Sequence, residues 1–194
     1  MQHVLTPYTK KLEPFAWWED AFTGEELDWL QQEAAEATEQ GTVGGFDSFG
    51  VKENVRKSNI NWLTKTQETA WVFDRLGHVV SELNANYFGF DLTGFGEDIQ
   101  LTNYSDHNQG MYKWHQDFGN KGASRKLSLV LQLSDPSSHE GGELQLLTKV
   151  EPTRIVKKRG LITVFPAWTL HQVTPVIKGS RQSLVTWISG PPFK

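Results

Sequence analysis

The chain has 194 residues, a formal net charge of -4 at pH 7 and no cysteine. Without cysteine there is no disulfide, thiolate nucleophile, zinc finger or iron–sulfur cluster, so a metal site must be built from His, Asp and Glu. The acidic balance argues against nucleic acid as a partner, because no basic surplus is present to displace counterions. Neither a secretory signal nor an apolar segment of membrane-spanning length is visible, and we expect a cytoplasmic protein without a membrane partner.

Two amphipathic helices are predicted in the first half of the chain. Thr23 and Glu26 have the spacing of a capping box, which predicts a helix that begins there and ends at Gly41. A second helix is predicted over about residues 67–86. The apolar faces of the two helices are formed by Leu27, Leu30, Ala34 and Ala37, and by Val72, Leu76, Val79, Val80 and Leu83. Between the helices, the glycine-rich residues 41–50 are typical either of a lid over a substrate or of an ordinary surface loop.

After residue 98 the apolar pattern changes to a period of two, which indicates strands. Turn residues divide this part into eight predicted strands, namely Ile99–Ser105, Met111–His115, Lys126–Ser134, Glu143–Leu147, Thr153–Lys157, Leu161–Phe165, Thr169–Thr174 and Arg181–Ile188. Short strands at this spacing favour a sandwich or jelly roll, and the two helices could cover one outer face. The sequence therefore predicts an α+β, mainly β fold in one domain over residues 1–194, with 1–98 as a helical support and 99–190 as the core.

The predicted strand Lys126–Ser134 has two different faces. One face carries Leu127, Leu129, Leu131 and Leu133, and the other carries Ser128, Val130 and Gln132. Either helices pack on the leucine side while the mixed side lines a pocket, or the mixed side faces water, as is commoner for an antiparallel strand. The alternation alone leaves both interpretations open.

His115 and Asp117 form an H-x-D pair at the end of a predicted strand. On an extended backbone, positions i and i+2 point to the same side, so both side chains can reach one point. Imidazole and carboxylate ligands suit Fe(II) or Mn(II), and His171 on a later strand could complete a facial triad with three open coordination positions. Isolated histidines are otherwise structural or surface groups. We give that second interpretation to the other four, which are His3, His78, His107 and His139.

Arg181 follows His171 by ten residues, just after a predicted turn at Lys178-Gly179. Period two places Arg181 on the same face as Ser183, Val185 and Trp187. An arginine directed into an apolar interior needs an anion, and its planar guanidinium matches a carboxylate. A dicarboxylate that chelates the metal at one end could supply this anion at the other. The alternative is an exposed arginine beside a turn, but the joint occurrence of the triad and Arg181 in this order favours the first interpretation.

Four stretches of the second half carry a resemblance to a known family: YKWHQD, RKLSLVLQLSDP, GGELQLL and FPAWTLHQVTPVIKGSRQSLVTWISG. Over about residues 99–190 they resemble the prolyl 4-hydroxylase-like branch of the 2-oxoglutarate- and Fe(II)-dependent oxygenases, and in particular the small PKHD-type hydroxylases. The upstream segment NVRKSNINWL is similar to the one that precedes the core in these proteins. The ordered combination is specific, whereas any one stretch is not.

The resemblance implies a double-stranded β-helix, which is a jelly-roll variant, with N-terminal helices packed on one sheet. It implies that His115, Asp117 and His171 bind Fe(II), and that Arg181 holds the far carboxylate of 2-oxoglutarate.

Further cofactor-binding positions follow from the same resemblance. A tyrosine on the strand before the first metal ligand assists in this family, and Tyr104 matches it better than Tyr112, which stays a second candidate. Trp187 matches a tryptophan that lines the pocket. Gln132 stands where some relatives have tyrosine or threonine, which puts its role in doubt.

The implied activity is hydroxylation of a C–H bond with 2-oxoglutarate and O2, release of succinate and CO2, and ascorbate as reductant. The expected partner is a proline-containing peptide or protein. Two alternatives remain at this point: the same chemistry on a free amino acid or other small molecule, or a cupin-like binding module without turnover.

Overall fold

Strands make up most of the second half of the chain, as the alternating pattern predicts. The computed structural model describes residues 12–43, 50–118 and 125–192. The strands are β1 (Ala16–Trp18), β2 (Glu39–Gln40), β3 (Arg56–Lys57), β4 (Asn59–Leu63), β5 (Gly94–Phe95), β6 (Ile99–Ser105), β7 (Met111–His115), β8 (Arg125–Gln132), β9 (His139–Gly141), β10 (Leu144–Leu146), β11 (Thr153–Arg154), β12 (Ile162–Pro166), β13 (His171–Val173) and β14 (Val176–Ser189). The α-helices are α1 (Gly24–Ala35) and α2 (Ala70–Leu83), and a π-helical turn, Asn84–Phe88, continues α2.

The strands form two antiparallel sheets. The large sheet has the order β1-β12-β8-β14-β6-β4-β2, with β5 and β9 also paired to β14. The small sheet has the order β11-β10-β13-β7-β3. Buried apolar side chains of β8 and β12 pack against those of β10, so the two sheets face each other across an interior. Two facing antiparallel sheets with two helices confirm the predicted mainly β, jelly-roll class.

Both faces of β8 are buried, which decides between the two interpretations of its alternating pattern. Its three alternate leucines, and Leu133 just after its end, join the main core together with the apolar faces of α1 and α2. Its other face, with Ser128, Val130 and Gln132, turns toward the small sheet and is also buried. The helices therefore cover one face of the large sheet, and the opposite face lines the interior.

Helix α1 begins at the predicted capping box and ends earlier than predicted. The Thr23 side chain accepts from the Glu26 amide, and the Glu26 carboxylate accepts from the Thr23 amide. The helix ends at Ala35 and not at Gly41, because Glu39 and Gln40 pair with β4 and extend the large sheet. Ala37 is nevertheless buried, as its apolar spacing predicts.

Helix α2 begins at Ala70, three residues after its predicted start. The Thr69 hydroxyl accepts from the Thr66 amide and donates to the Thr64 carbonyl, which holds the preceding residues in a turn. At the other end the π-helical turn extends the helical stretch to Phe88, and Gly89 follows in the left-handed region with φ 70°.

The first 98 residues are more than the helical support that was predicted. Strand β1 pairs with β12, and β4 pairs with β6, so both extend the large sheet. Strand β3 pairs with β7 in the small sheet. The predicted lid over 41–50 falls mostly on residues 44–49, which lie outside the described residues. At its base, Val43 and Gly50 form an isolated bridge.

Strand β14 corrects a predicted turn. The Lys178-Gly179 pair does not end a strand, because β14 runs from Val176 to Ser189. Gly179 has φ 75°, and a Cβ there would lie 2.1 Å from the Ser138 carbonyl oxygen. Glycine thus lets the strand bend while its pairing changes from β9 to β6. Arg181 follows this bend directly.

All eight predicted strands are present, two with the predicted bounds and the others with shifted ends. Strands β6 and β7 have the predicted bounds, whereas the predicted strand over Thr153–Lys157 shortens to the two residues of β11. Among the described residues, neither helix is both long and apolar enough to cross a bilayer.

Candidate metal centre

Three predicted ligands meet at the small sheet. His115 ends β7 and His171 begins β13, and these two residues lie directly opposite each other in the strand pairing. Asp117 follows β7 by two residues. The His115 Nε2 atom lies 3.7 Å from Asp117 Oδ1, and the His171 Nε2 atom lies 3.4 Å from Asp117 Oδ2. One ligand atom from each residue lies within 4.8 Å of the others, so the three side chains converge on one point.

Backbone carbonyls orient both imidazoles. His115 Nδ1 lies 2.7 Å from the Lys113 carbonyl oxygen, and His171 Nδ1 lies 2.9 Å from the Thr169 carbonyl oxygen. A carbonyl oxygen only accepts, so each Nδ1 must carry the proton. Each Nε2 is then left with a free lone pair, as metal-binding histidines require.

The protonation states of His115 and Asp117 suit a cation, and a bound metal ion would displace the proton that Asp117 favours on His171. Burial, together with neighbouring His171, lowers the pKa of His115 to about 3, so its imidazole is neutral at neutral pH. Burial would raise the pKa of Asp117, but His171 and His115 outweigh burial and hold that pKa well below its usual range. Burial would lower the pKa of His171, but the Asp117 carboxylate raises it. Two imidazoles and one ionised carboxylate are the donor set of a facial Fe(II) site, so the residues present fit that metal.

Ser128 is a residue that the sequence analysis missed. Its hydroxyl, fully buried on β8, donates to Asp117 Oδ2 over 2.8 Å. The alternating pattern placed Ser128 on the mixed face of β8, but no local signal paired it with a carboxylate eleven residues before it. This hydrogen bond fixes one carboxylate oxygen of Asp117 and so orients the other.

We expect Ser128→Ala to weaken metal binding about tenfold, because loss of an outer hydrogen bond to a ligand has effects of roughly 10–100-fold. The measurement is anaerobic calorimetry with Fe(II) or Mn(II). Ser128→Thr keeps the hydroxyl on a strand residue and should retain most of the affinity. Equal weakening in both variants would contradict an orienting role for the hydroxyl.

Arg125 connects the metal centre to the large sheet. Its guanidinium lies over the Trp187 ring with 3.8 Å from Cζ to the centroid, and its Nη1 donates to the Asp117 carbonyl over 3.4 Å. Nε and Nη2 donate to the two carboxylate oxygens of Glu97 over 2.6 and 2.5 Å. No pattern in the sequence indicated this contact. The Arg125 guanidinium therefore contacts both the Trp187 ring and the backbone of Asp117, which fixes their relative positions.

The two candidate tyrosines occupy different places. Tyr104 lies directly opposite Arg181 in the β6–β14 pairing, and the Arg181 Cζ atom is 5.6 Å from its ring centroid. Tyr112 instead stacks on His115 with 3.4 Å between ring centroids and an interplanar angle of 13°. Burial raises the pKa of Tyr112 to about 12, so it stays protonated. The structure thus brings Tyr104, and not Tyr112, to Arg181.

The interior face of the large sheet is arranged in rows. Ser128 lies between Phe165 of β12 and Trp187 of β14. Two residues along β8, Val130 lies beside Val185. Two residues further, Gln132 lies beside Ser183, whose hydroxyl accepts from Arg181 Nη1 over 3.3 Å. The rows therefore lead from Asp117, which Ser128 contacts, to Arg181. A small cavity lies at the Arg181 end of this interior, between Val130 and Gln132 on one side and Gly142 and Leu144 on the other.

Arg181 is a buried cation that has no carboxylate partner among the described residues. Its side chain is 2% exposed, and within the part of the chain that the structure describes no carboxylate pairs with it. Burial lowers the pKa of Arg181, but a guanidinium stays charged at neutral pH. A buried charge without a partner is unfavourable, so this position favours an anionic ligand.

Of the two roles that the sequence left open for His139, the structure favours the structural one over the surface one. His139 begins β9 and is buried, with its Nε2 atom 3.4 Å from Gln132 Nε2. Burial, together with the charges of Lys157 and Arg181, lowers the pKa of His139. Gln132 also donates to the Ser134 carbonyl over 3.2 Å, so it lies at the Arg181 end of the interior and not at the metal.

Comparison with known proteins agrees with this geometry. The family model described as the 2OG-Fe(II) oxygenase superfamily matches residues 99–189. A PKHD-type hydroxylase of Teredinibacter turnerae is 31% identical over 172 residues, which are 84% of this chain and 72% of that protein. A PKHD-type hydroxylase of Synechococcus sp. (strain CC9605) is 42% identical over 80 residues, which are 40% of this chain and only 36% of that protein.

Solved structures show the same fold at low sequence identity. A Pseudomonas putida prolyl-4-hydroxylase superimposes with a TM-score of 0.71 at 18% identity, covering 92% of this chain and 94% of that one. A Trichoplax adhaerens prolyl hydroxylase, solved with a hypoxia inducible factor peptide fragment, gives a TM-score of 0.75 at 14% identity, covering 91% and 84%. The match over most of the Teredinibacter protein, together with the family model, shows that this chain belongs to the 2OG-Fe(II) oxygenase superfamily, among its PKHD-type members.

Proposed function

We propose that this protein is an Fe(II)- and 2-oxoglutarate-dependent dioxygenase that hydroxylates a C–H bond of a peptidyl proline and releases succinate and CO2. The observation that carries the proposal is the buried, acid-free Arg181 in the interior that begins at the His115, Asp117 and His171 cluster. A metal site and a buried cation connected by the interior face of the large sheet fit a ligand that is chelating at one end and anionic at the other. A cupin-like binding module without turnover would need no such cation.

Each site residue has a defined part in the proposal. His115, Asp117 and His171 would hold Fe(II) with three positions open to other ligands. When bound, the iron would supply the activation of O2 and the oxidation of the C–H bond. Arg181 would bind the far carboxylate of 2-oxoglutarate, and Tyr104 lies beside its guanidinium. Trp187 would form the wall at the level of Asp117, because Ser128, its neighbour on β8, donates to Asp117.

Gln132 would have a supporting part only. Its amide already donates to the Ser134 carbonyl and lies near His139, so it lines the Arg181 end of the cavity without a free, charged group. The peptide substrate is supported by the similar fold of the Trichoplax adhaerens protein, which was solved with a peptide.

The test is release of succinate from 2-oxoglutarate by the protein with Fe(II), O2 and ascorbate, across a panel of proline-containing peptides and free amino acids. We expect succinate in an amount that follows the gain of one oxygen atom by a peptide, detected by mass spectrometry. Oxygen gain by a free amino acid alone would replace the peptide by a small-molecule substrate. Absence of succinate under every reconstituted and oxygenated condition would refute the oxygenase activity.

A further inference from the structure

The cavity at Arg181 is lined by a second cation, Lys157, from the segment that follows β11. We propose that Lys157 binds the far carboxylate of the 2-oxo acid together with Arg181, so that two cations hold this end of the co-substrate. The inference rests on the proposed function. Neither the triad nor the pattern of β14 pointed to Lys157, which the sequence analysis placed only at the end of a predicted strand.

The lining of the cavity is positive and has no counter-charge. Lys157 and Arg181 are its two charged residues, and no Asp or Glu is among the described residues that line it. The rest of the lining is mostly apolar, and Gln132 and Thr163 are its uncharged polar side chains. Two cations in a mostly apolar cavity repel each other, and an anion between them would remove this repulsion.

The backbone of the small sheet brings Lys157 to the level of Arg181. The Ile155 amide donates to the Leu144 carbonyl over 2.9 Å, which continues the β10–β11 pairing past Arg154. Two residues after Ile155, the Lys157 ammonium reaches the carbonyl of Gly141, the residue before Gly142. Gly142 in turn lies against the Arg181 side chain, because a Cβ at this glycine would be 3.0 Å from Arg181 Cδ.

The Lys157 ammonium has donors to spare. Its Nζ donates to the Gly141 carbonyl over 2.6 Å, and an ammonium carries three N–H groups. Within residues 12–43, 50–118 and 125–192 no ion pair of Lys157 with a carboxylate is found. Its remaining N–H groups are therefore available to a carboxylate that Arg181 also binds, since the two oxygens of one carboxylate accept several hydrogen bonds.

The neighbouring His139 adds no third positive charge. Burial and the charges of Lys157 and Arg181 lower its pKa, which favours the neutral imidazole. Its buried Nδ1 has no hydrogen-bond partner in the described part of the chain. The cavity therefore presents two positive charges and no negative one, with the His139 imidazole behind Gln132, and this charge distribution suits a carboxylate.

The test compares two ligands that share the chelating 2-oxo acid group. These are 2-oxoglutarate and 2-oxobutyrate, which lacks the far carboxylate, and both are titrated anaerobically by calorimetry into the metal-loaded protein. We expect Lys157→Met to weaken 2-oxoglutarate about tenfold or more, because hydrogen bonds to charged groups contribute this much. Binding of 2-oxobutyrate should stay unchanged, and Lys157→Arg should keep most of the affinity for 2-oxoglutarate.

Lys158 offers a matched control, because it is the adjacent lysine and pairs with Glu19 on the outside of the protein. Lys158→Met should bind both ligands as the unaltered protein does. Unchanged 2-oxoglutarate binding in Lys157→Met would overturn the inference, and so would equal weakening of both ligands, which would indicate a structural effect. If the unaltered protein binds 2-oxoglutarate but releases no succinate with any substrate, the proposed function fails while the Lys157 result stands.

Discussion

Asp117→Ala is expected to abolish metal binding and with it the release of succinate. Asp117 is the one carboxylate of the triad, and its ionised side chain lies 3.4–3.7 Å from both imidazole Nε2 atoms. Loss of a direct ligand should exceed the roughly 10–100-fold loss of metal affinity that follows removal of an outer hydrogen bond. The measurements are Fe(II) or Mn(II) affinity by anaerobic calorimetry and succinate formation.

Asp74→Ala is the control for this substitution. Asp74 lies on the exposed side of α2, where it pairs with Lys65 at the surface, so its loss should leave metal affinity and activity unchanged. Retention of metal affinity within tenfold in Asp117→Ala would show that the metal is held elsewhere, and the assignment of the triad would then be wrong.

Arg181→Met is expected to remove the affinity for 2-oxoglutarate without lowering the stability of the free protein. The methionine keeps an apolar stem in the cavity and removes the guanidinium. We expect 2-oxoglutarate to bind roughly 100-fold more weakly, because a paired guanidinium and carboxylate contribute about 3 kcal/mol. In the ligand-free protein Arg181 is 2% exposed and has no acidic partner, so its replacement by an apolar side chain should leave the free energy of unfolding equal or higher.

Two measurements separate these effects: calorimetric titration with 2-oxoglutarate, and chemical unfolding of the ligand-free protein. Arg154 provides the comparison. It is an exposed arginine of β11 that pairs with Glu143. Arg154→Met should change neither quantity. Undiminished 2-oxoglutarate affinity in Arg181→Met would contradict the assigned role and favour a binding module with a different ligand.

Much of the fold followed from patterns that are local in sequence. The period of two located β6 and β7 at their observed bounds, and the capping box located the start of α1. The bend in β14 was missed, because a lysine–glycine pair is as compatible with a turn as with a kinked strand. The short strands β1 and β3 were missed for a different reason. Each has only two or three residues, and its pairing depends on a partner far away in the chain.

The candidate site was predictable to a similar extent. The spacing of His115 and Asp117 indicated that they share a side, whereas the approach of His171 depends on the β7–β13 pairing, which no spacing reveals. The contact of Ser128 with Asp117 and the position of Lys157 depend on strand register and on the distance between the sheets. The burial of His139 follows from the pairing of β9 with β14, so a short segment between turn residues gave no sign of it.

The two faces of β8 affect how substitutions in this strand can change the protein during evolution. Its leucines pack against the helices, and the side chains between them line the interior. Selection for stability therefore acts on one set of alternate positions, and selection for ligand binding acts on the other. Substitutions at Leu129 or Leu131 should alter thermostability with little change in ligand preference. Substitutions at Val130 or Gln132 should alter which 2-oxo acid fits while leaving the helical layer intact. The strand thus lets stability and cofactor selectivity be tuned separately, by protein engineers as well as by evolution.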